Sequence, residues 1–244
     1  MGFDRVAVSR ESLVKHRTLI LFAAILAASL AAGQASSVQF PSQSNDESWK
    51  GDLTGVWQGP YTPDLTQGSG AVLTPWGKAA FDAFDGLTDP CLPVGVTRQA
   101  NAPDPIQIVQ TPQRVVILYE SWHIFRSIPT DGRPHPANLE PTWFGNSVGK
   151  WDGDTLVVDV AGMNDKTRLD TNGHPHSDQM HLIERFRRTG PKTMSYEVTV
   201  DDPVAYTAVW KQSRTFQLKP GLELMEYVCL ENEKDREHMR GIKK

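Results

Sequence analysis

From about position 105 onward, apolar residues fall in short runs rich in β-branched and aromatic side chains, separated by polar stretches with turn residues. The pattern predicts strands over 106–110, 115–128, 147–151, 155–160, 181–188, 194–200, 209–218 and 222–230. Two kinds of connection separate them. Thr111-Pro112-Gln113-Arg114, Asp152-Gly153-Asp154, Thr189-Gly190-Pro191-Lys192 and Lys219-Pro220-Gly221 carry tight-turn chemistry, whereas residues 129–146, 161–180 and 201–208 are long. Upstream, only 74–84 has helical spacing, with Pro75 in the first turn and Trp76, Ala79, Ala80 and Phe84 repeating along it. The expected fold is all-β and mainly antiparallel, an up-and-down meander closed into a barrel, with one short N-terminal helix.

Connections of a meander alternate between the two ends of the sheet. Short and long ones alternate here from Pro112 onward, so strand parity predicts the tight turns at one end and the long loops together over the barrel mouth. A missed or invented strand breaks that count.

The N-terminus changes the setting. Lys15, His16 and Arg17 precede an uncharged apolar run over 19–32, followed by the small residues Gly33 and Ala35, the layout of a cleaved secretory signal over 1–35. As a helix the run rises about 21 Å, short of the roughly 30 Å hydrocarbon core, so no stable membrane insertion is expected after cleavage. Residues 36–50 are polar and predict a flexible leader, and 51–244 a single domain, periplasmic or secreted. Cys91 and Cys229 are the two cysteines. In an oxidising compartment a disulfide and two buried thiols both remain open for them.

Composition adds one exclusion. Residues 1–35 carry four basic and two acidic side chains, so without them the formal charge of −4 falls to −6. A nucleic-acid partner is not expected, because such affinity rests on clustered positive charge. No nucleophile-elbow serine, phosphate-binding glycine loop, dinucleotide fingerprint or Cys-x-x-Cys is present.

Five of the seven histidines fall between His123 and His181. His135 lies in Asp131-Gly132-Arg133-Pro134-His135-Pro136, and His174 and His176 in Gly173-His174-Pro175-His176-Ser177. Imidazole titrates near neutrality and a carboxylate neighbour fixes its tautomer, so His135 with Asp131, and His174 or His176 with Asp165 or Asp178, are the candidate acid/base pairs. Arg133, Arg126, His123, Trp143 and Tyr206 are the candidate substrate-binding residues, with structural ion pairs to Glu120 or Glu140 as the alternative for the arginines. Asn164, Asp170, Asp202, Glu231, Asn232 and Glu233 fall to the same rim. No cofactor is expected, the alternative being a divalent metal such as zinc on His174, His176 and His181.

Gly55-Val56-Trp57 resembles the Gly-x-Trp that opens lipocalin-like barrels. The blocks Asp131 to Pro136, Trp151-Asp152-Gly153-Asp154-Thr155-Leu156-Val157-Val158-Asp159, Gly173 to Ser177 and Glu226-Tyr227-Val228-Cys229 resemble those of a group of exported bacterial β-rich proteins. That resemblance implies an extracytoplasmic, β-rich, lipocalin-like domain and supplies no reaction. The expected function is an exported β-barrel enzyme that binds a small apolar or aromatic molecule and uses His/Asp acid/base chemistry, such as hydrolysis, hydration or isomerisation, at the barrel mouth. A non-catalytic carrier of the lipocalin type and a metal-dependent enzyme with a histidine cluster are the alternatives.

Overall fold

The computed structural model describes residues 47–86 and 91–228. The signal and most of the leader, Cys229, and Glu231, Asn232 and Glu233 lie outside the described residues. Among the described residues no helix is long and apolar enough to cross a membrane.

The strands are β1 (Gly55–Gln58), β2 (Ile106–Thr111), β3 (Arg114–Tyr119), β4 (Phe125–Pro129), β5 (Asn146–Asp152), β6 (Thr155–Ala161), β7 (His181–Gly190), β8 (Thr193–Asp201) and β9 (Trp210–Leu218). They form one antiparallel sheet in the order β4-β3-β2-β1-β9-β8-β7-β6-β5, and β4 packs beside β5 to bring the ends of the order together. The meander thus curls into a nearly closed barrel, as the alternation predicts. Inward positions are apolar and buried, among them Leu156, Val158 and Val160 of β6 and Tyr196, Val198 and Val200 of β8.

Three strand expectations are corrected. Residues 115–128 are not one strand: the chain reverses through Glu120–Ile124, with Trp122 at φ 62° and His123 at φ 47°, and splits the segment into β3 and β4. β1 was not expected at all, yet it joins β2 to β9. Residues 222–228 form no strand, because β8 and β1 already occupy both edges of β9.

Nine is an odd number. Directions that alternate around a ring cannot close on an odd count, so one neighbouring pair must run parallel, and the eight antiparallel ladders leave that mismatch to β4 and β5. No ladder joins them. Arg126 Nη2 instead donates to Ser147 Oγ across the seam at 2.9 Å, and Gly149 lets the strands approach, since a Cβ there would sit 2.9 Å from Ile128 Cγ2. The β4–β5 connection must therefore travel the length of the wall. It leaves beside the β2–β3 turn, where Thr130 N donates to Gln113 O, and arrives beside the β6–β7 loop, where Thr142 N donates to Gly162 O. The missed strand and this crossover cancel in the parity count, so the 162–180 and 202–209 loops do share one end, opposite the tight turns.

The mouth at that end is stoppered. Residues 59–86 and 91–105 fold over it, and their helix α2 (Val96–Ala100) buries Val96 and Ala100 in the same core as the strands. Arg214, facing inward from β9, donates to Asn101 Oδ1 at 2.9 Å and to Ala100 O. Deeper inside, Arg126 makes a paired contact with Glu184 at 3.1 and 2.6 Å, and Tyr196 OH donates to Glu184 Oε1 at 2.9 Å. Burial alone would lower the Arg126 pKa, but the Glu184 charge holds it above its ordinary value. Arg126 is therefore an interior strut, and its partner is neither Glu120 nor Glu140. The barrel is packed across its interior by these side chains.

Candidate functional site

The predicted helix is present as α1 (Pro75–Asp82). Thr74 Oγ1 caps it by accepting from Gly77 N at 3.0 Å, and Thr74 N donates to Ala205 O, which fixes the helix start against the β8–β9 loop. Beyond it, the β6–β7 loop turns tightly around a buried carboxylate. Asp170, 1% exposed, accepts from Leu65 N, His174 N and His174 Nδ1 at 2.8, 3.1 and 2.7 Å. Gly173 makes the turn possible: its φ is +91°, and a Cβ there would overlap the Phe84 ring. Phe81 of α1 stacks on the His174 ring, with centroids 4.7 Å apart.

Asp170 Oδ2 accepts from His174 Nδ1, which turns the other ring nitrogen outward. His174 Nε2 lies 3.1 Å from Thr66 Oγ1, and that hydroxyl lies 2.8 Å from Asp64 Oδ1. Burial raises the Asp64 pKa, but hydrogen bonds from Thr66 and the nearby His174 charge outweigh it and hold the carboxyl below its ordinary value. Thr66 Oγ1 gives its one hydrogen to Asp64 Oδ1 and is left to accept from His174 Nε2, so the imidazole stands between the Asp170 carboxylate and the Thr66 oxygen with its outer nitrogen at the groove wall. The line ends on a groove of about 560 Å³, whose lining includes Thr66, Leu73, Pro75, Lys78, His174 and Tyr206. Tyr206 OH donates to Pro175 O at 3.1 Å, and burial keeps its phenol protonated well above the usual range.

Of the sequence candidates, His174 and Tyr206 meet at this groove, and the rest are placed elsewhere. His176 is buried behind the loop: Nδ1 donates to Ser177 O at 3.0 Å, Nε2 faces Thr167 Oγ1 at 2.6 Å, and burial lowers its pKa. Asp202 accepts from Ser177 N and Oγ and from Val204 N and Ala205 N, tying the two loops together. Asp165 and Asp178 are exposed and make no hydrogen bond to His174 or His176, so the partner of His174 is Asp170 instead. Asp131 pairs with Arg133 at the surface, not with His135, and that contact holds its carboxyl down at about 2. Neither residue of that pair lines the groove. Trp143 lines a second cleft of about 290 Å³ together with Lys166 and Arg168. His123 sits in the β3–β4 turn, not on a strand, and accepts from Tyr227 N at 2.6 Å.

His135 is held on the outer wall, by Asn146 and Asp159, and shares no partner with His174. His174, His176 and His181 likewise bond to three different residues and are not gathered as a ligand set. Among the described residues, Asp64, Asp170 and His174 do offer ligand atoms within 4.8 Å of one another. Asp64 Oδ1 and both Asp170 oxygens already accept backbone, hydroxyl or imidazole hydrogens.

Sequence reasoning missed Asp64, Thr66 and Phe81. Phe81 lies on the predicted helix, but spacing does not say what packs on it. Around Asp64 and Thr66 there is little periodicity to read, although Asp64 two residues before Thr66 is an Asx-turn signature: Asp64 Oδ1 accepts from Thr66 N and Gln67 N at 2.9 and 3.0 Å.

No family model matches the chain, and no curated protein matches it. Among solved structures it is similar to an abundant heat soluble (SAHS) protein from Ramazzottius varieornatus, at 11% identity and a TM-score of 0.31, over 68% of this chain and 95% of that one.

Proposed function

We propose that this protein binds a small, apolar or aromatic molecule in the loop-end groove and acts on it by acid/base chemistry through His174, in a hydrolysis, hydration or isomerisation. The observation that carries this reading is the Asp170–His174–Thr66 line opening onto a groove with apolar walls. Asp170 orients the imidazole, Thr66 braces its outer nitrogen at the groove wall, and Leu73 and Pro75 supply apolar contact. The plugged interior favours this groove over a central calyx as the place of binding. The periplasmic or secreted setting rests on the N-terminal signal pattern.

The test pairs binding with turnover. Wild-type protein is titrated with 1-anilinonaphthalene-8-sulfonate and assayed with a series of aromatic 4-nitrophenyl esters. Leu73→Arg should abolish dye binding and raise KM. His174→Gln should lower kcat about 10²–10⁴-fold and flatten the pH profile with dye affinity retained, the range expected of a lost general acid/base. Dye binding unchanged by Leu73→Arg removes the groove. Binding that needs Leu73, without turnover that needs His174, makes the protein a carrier instead.

A further inference from the structure

On the outer wall, away from the groove, two imidazoles converge on one carboxylate oxygen. Asp159 Oδ1 is 3.0 Å from His135 Nε2 and 2.6 Å from His181 Nε2. Three separate elements supply them: the β4–β5 crossover, β6 and the first residue of β7. Outward parity explains why they meet. Asp159 pairs with Ile183 and Val160 with Leu182, which puts Asp159 and His181 on the outer face at the loop end of neighbouring strands. His135 is laid over them from the crossover, its flanking Pro134 and Pro136 limiting the conformations it leaves behind.

The remaining nitrogen of His135 decides what the cluster is built to hold. Nδ1 donates to Asn146 Oδ1 at 2.7 Å, so in a neutral ring Nε2 bears a lone pair. That lone pair faces a carboxylate oxygen at 3.0 Å, and two acceptors so placed need a positive charge between them, either a proton or a metal ion. An imidazole whose far N–H is held by a side-chain carbonyl is the usual arrangement of a metal-binding histidine. The cluster is also open to water on one side, with the side chains of Asp159 and His181 40% and 42% exposed, leaving positions for solvent ligands.

We propose that His135 Nε2, Asp159 and His181 Nε2 bind a divalent transition metal ion of the zinc class on the outer wall, pinning the β4–β5 crossover to β6 and β7. Two nitrogens and one oxygen suit such an ion better than calcium or magnesium, which take oxygen shells. Ligand atoms at zinc distances stand about 3.3 Å apart in a tetrahedral shell, so both contacts to Asp159 lengthen slightly. The two imidazoles reach the carboxylate from either side without lying within 4.8 Å of each other, and swing together by more than about 1 Å around the ion. No proton or electron leaves the protein's own bonds except the ring proton that the ion replaces.

The chain, purified without a polyhistidine tag, is titrated with Zn²⁺ against a chromophoric chelator. One zinc per chain at micromolar affinity or tighter is expected, weakened at least 10-fold by His135→Ala and by His181→Ala. In the wild-type protein, substoichiometric Cu²⁺ should broaden the NMR signals of His135, Asn146, Asp159 and His181 first, a readout that does not depend on any variant folding. Affinity weaker than about 1 mM, zinc binding unchanged in both variants, or broadening centred on Asp64 and His174 overturns the proposal.

Discussion

Arg126→Met separates an interior strut from a ligand-binding arginine. Glu184 is 0% exposed and takes two hydrogen bonds from Arg126 and one from Tyr196. Removing the guanidinium leaves a buried carboxylate with one phenol hydrogen, an uncompensated charge that costs about 3–5 kcal/mol. Ser147 also loses its donor across the β4–β5 seam, where no ladder shares the load. For a domain of this size that loss corresponds to about 6–20 °C in Tm. The second half of the experiment is Arg126→Met with Glu184→Leu, which replaces the pair by apolar volume and should return to within about 2 kcal/mol of wild type, the remainder being the orphaned Tyr196 hydroxyl. Urea unfolding followed by tryptophan fluorescence gives both values, because Trp57 lies in the same core. A single-variant loss below about 1 kcal/mol, or a double variant as unstable as the two singles added, would refute the account. A variant that unfolds normally but loses dye binding would restore Arg126 to the binding residues.

Two further outcomes test the local geometry. Gly173→Ala combines a left-handed backbone with a Cβ inside the Phe84 ring, so it should cost about 2–4 kcal/mol in urea unfolding and weaken dye binding at the groove; a loss under about 0.5 kcal/mol contradicts the tight turn around Asp170. Asp131 should titrate at about 2 by carboxyl NMR and return to the ordinary range near 3.9 in Arg133→Gln. The sign follows from the lowered pKa: whatever the contact contributes is present above the unfolded value and is lost as pH falls toward 2. An Asp131 resonance that instead follows substitution of His135 would reinstate the pair expected from sequence proximity.

Short β-branched and aromatic runs and turn chemistry determined the antiparallel barrel, because both act between near neighbours in the chain. The same local signals could not find the β3–β4 reversal: Tyr119, Trp122, Ile124 and Phe125 keep apolar and aromatic residues coming across it, and the left-handed backbone at Trp122 and His123 comes without the glycine or asparagine that announces such turns. Strand parity still brought 162–180 and 202–209 to one end, since the unseen strand is offset by a crossover that the odd strand number itself requires. That crossover is the third long loop, 129–146, which runs along the wall and carries His135 away from the mouth.

Which side chains partner which was a tertiary matter. Asp131 looked like the natural neighbour of His135 but is taken by Arg133 two residues away, while His135 reaches Asp159 across 24 positions and Arg126 reaches Glu184 across 58. His174 was legible as a candidate, yet its working geometry depends on Thr66 from an irregular segment and on Phe81 from a helix whose packing partner the spacing did not reveal. A chain's own pattern fixes which face a strand residue points to; only closure of the barrel and the folding of its loops decide what waits on that face.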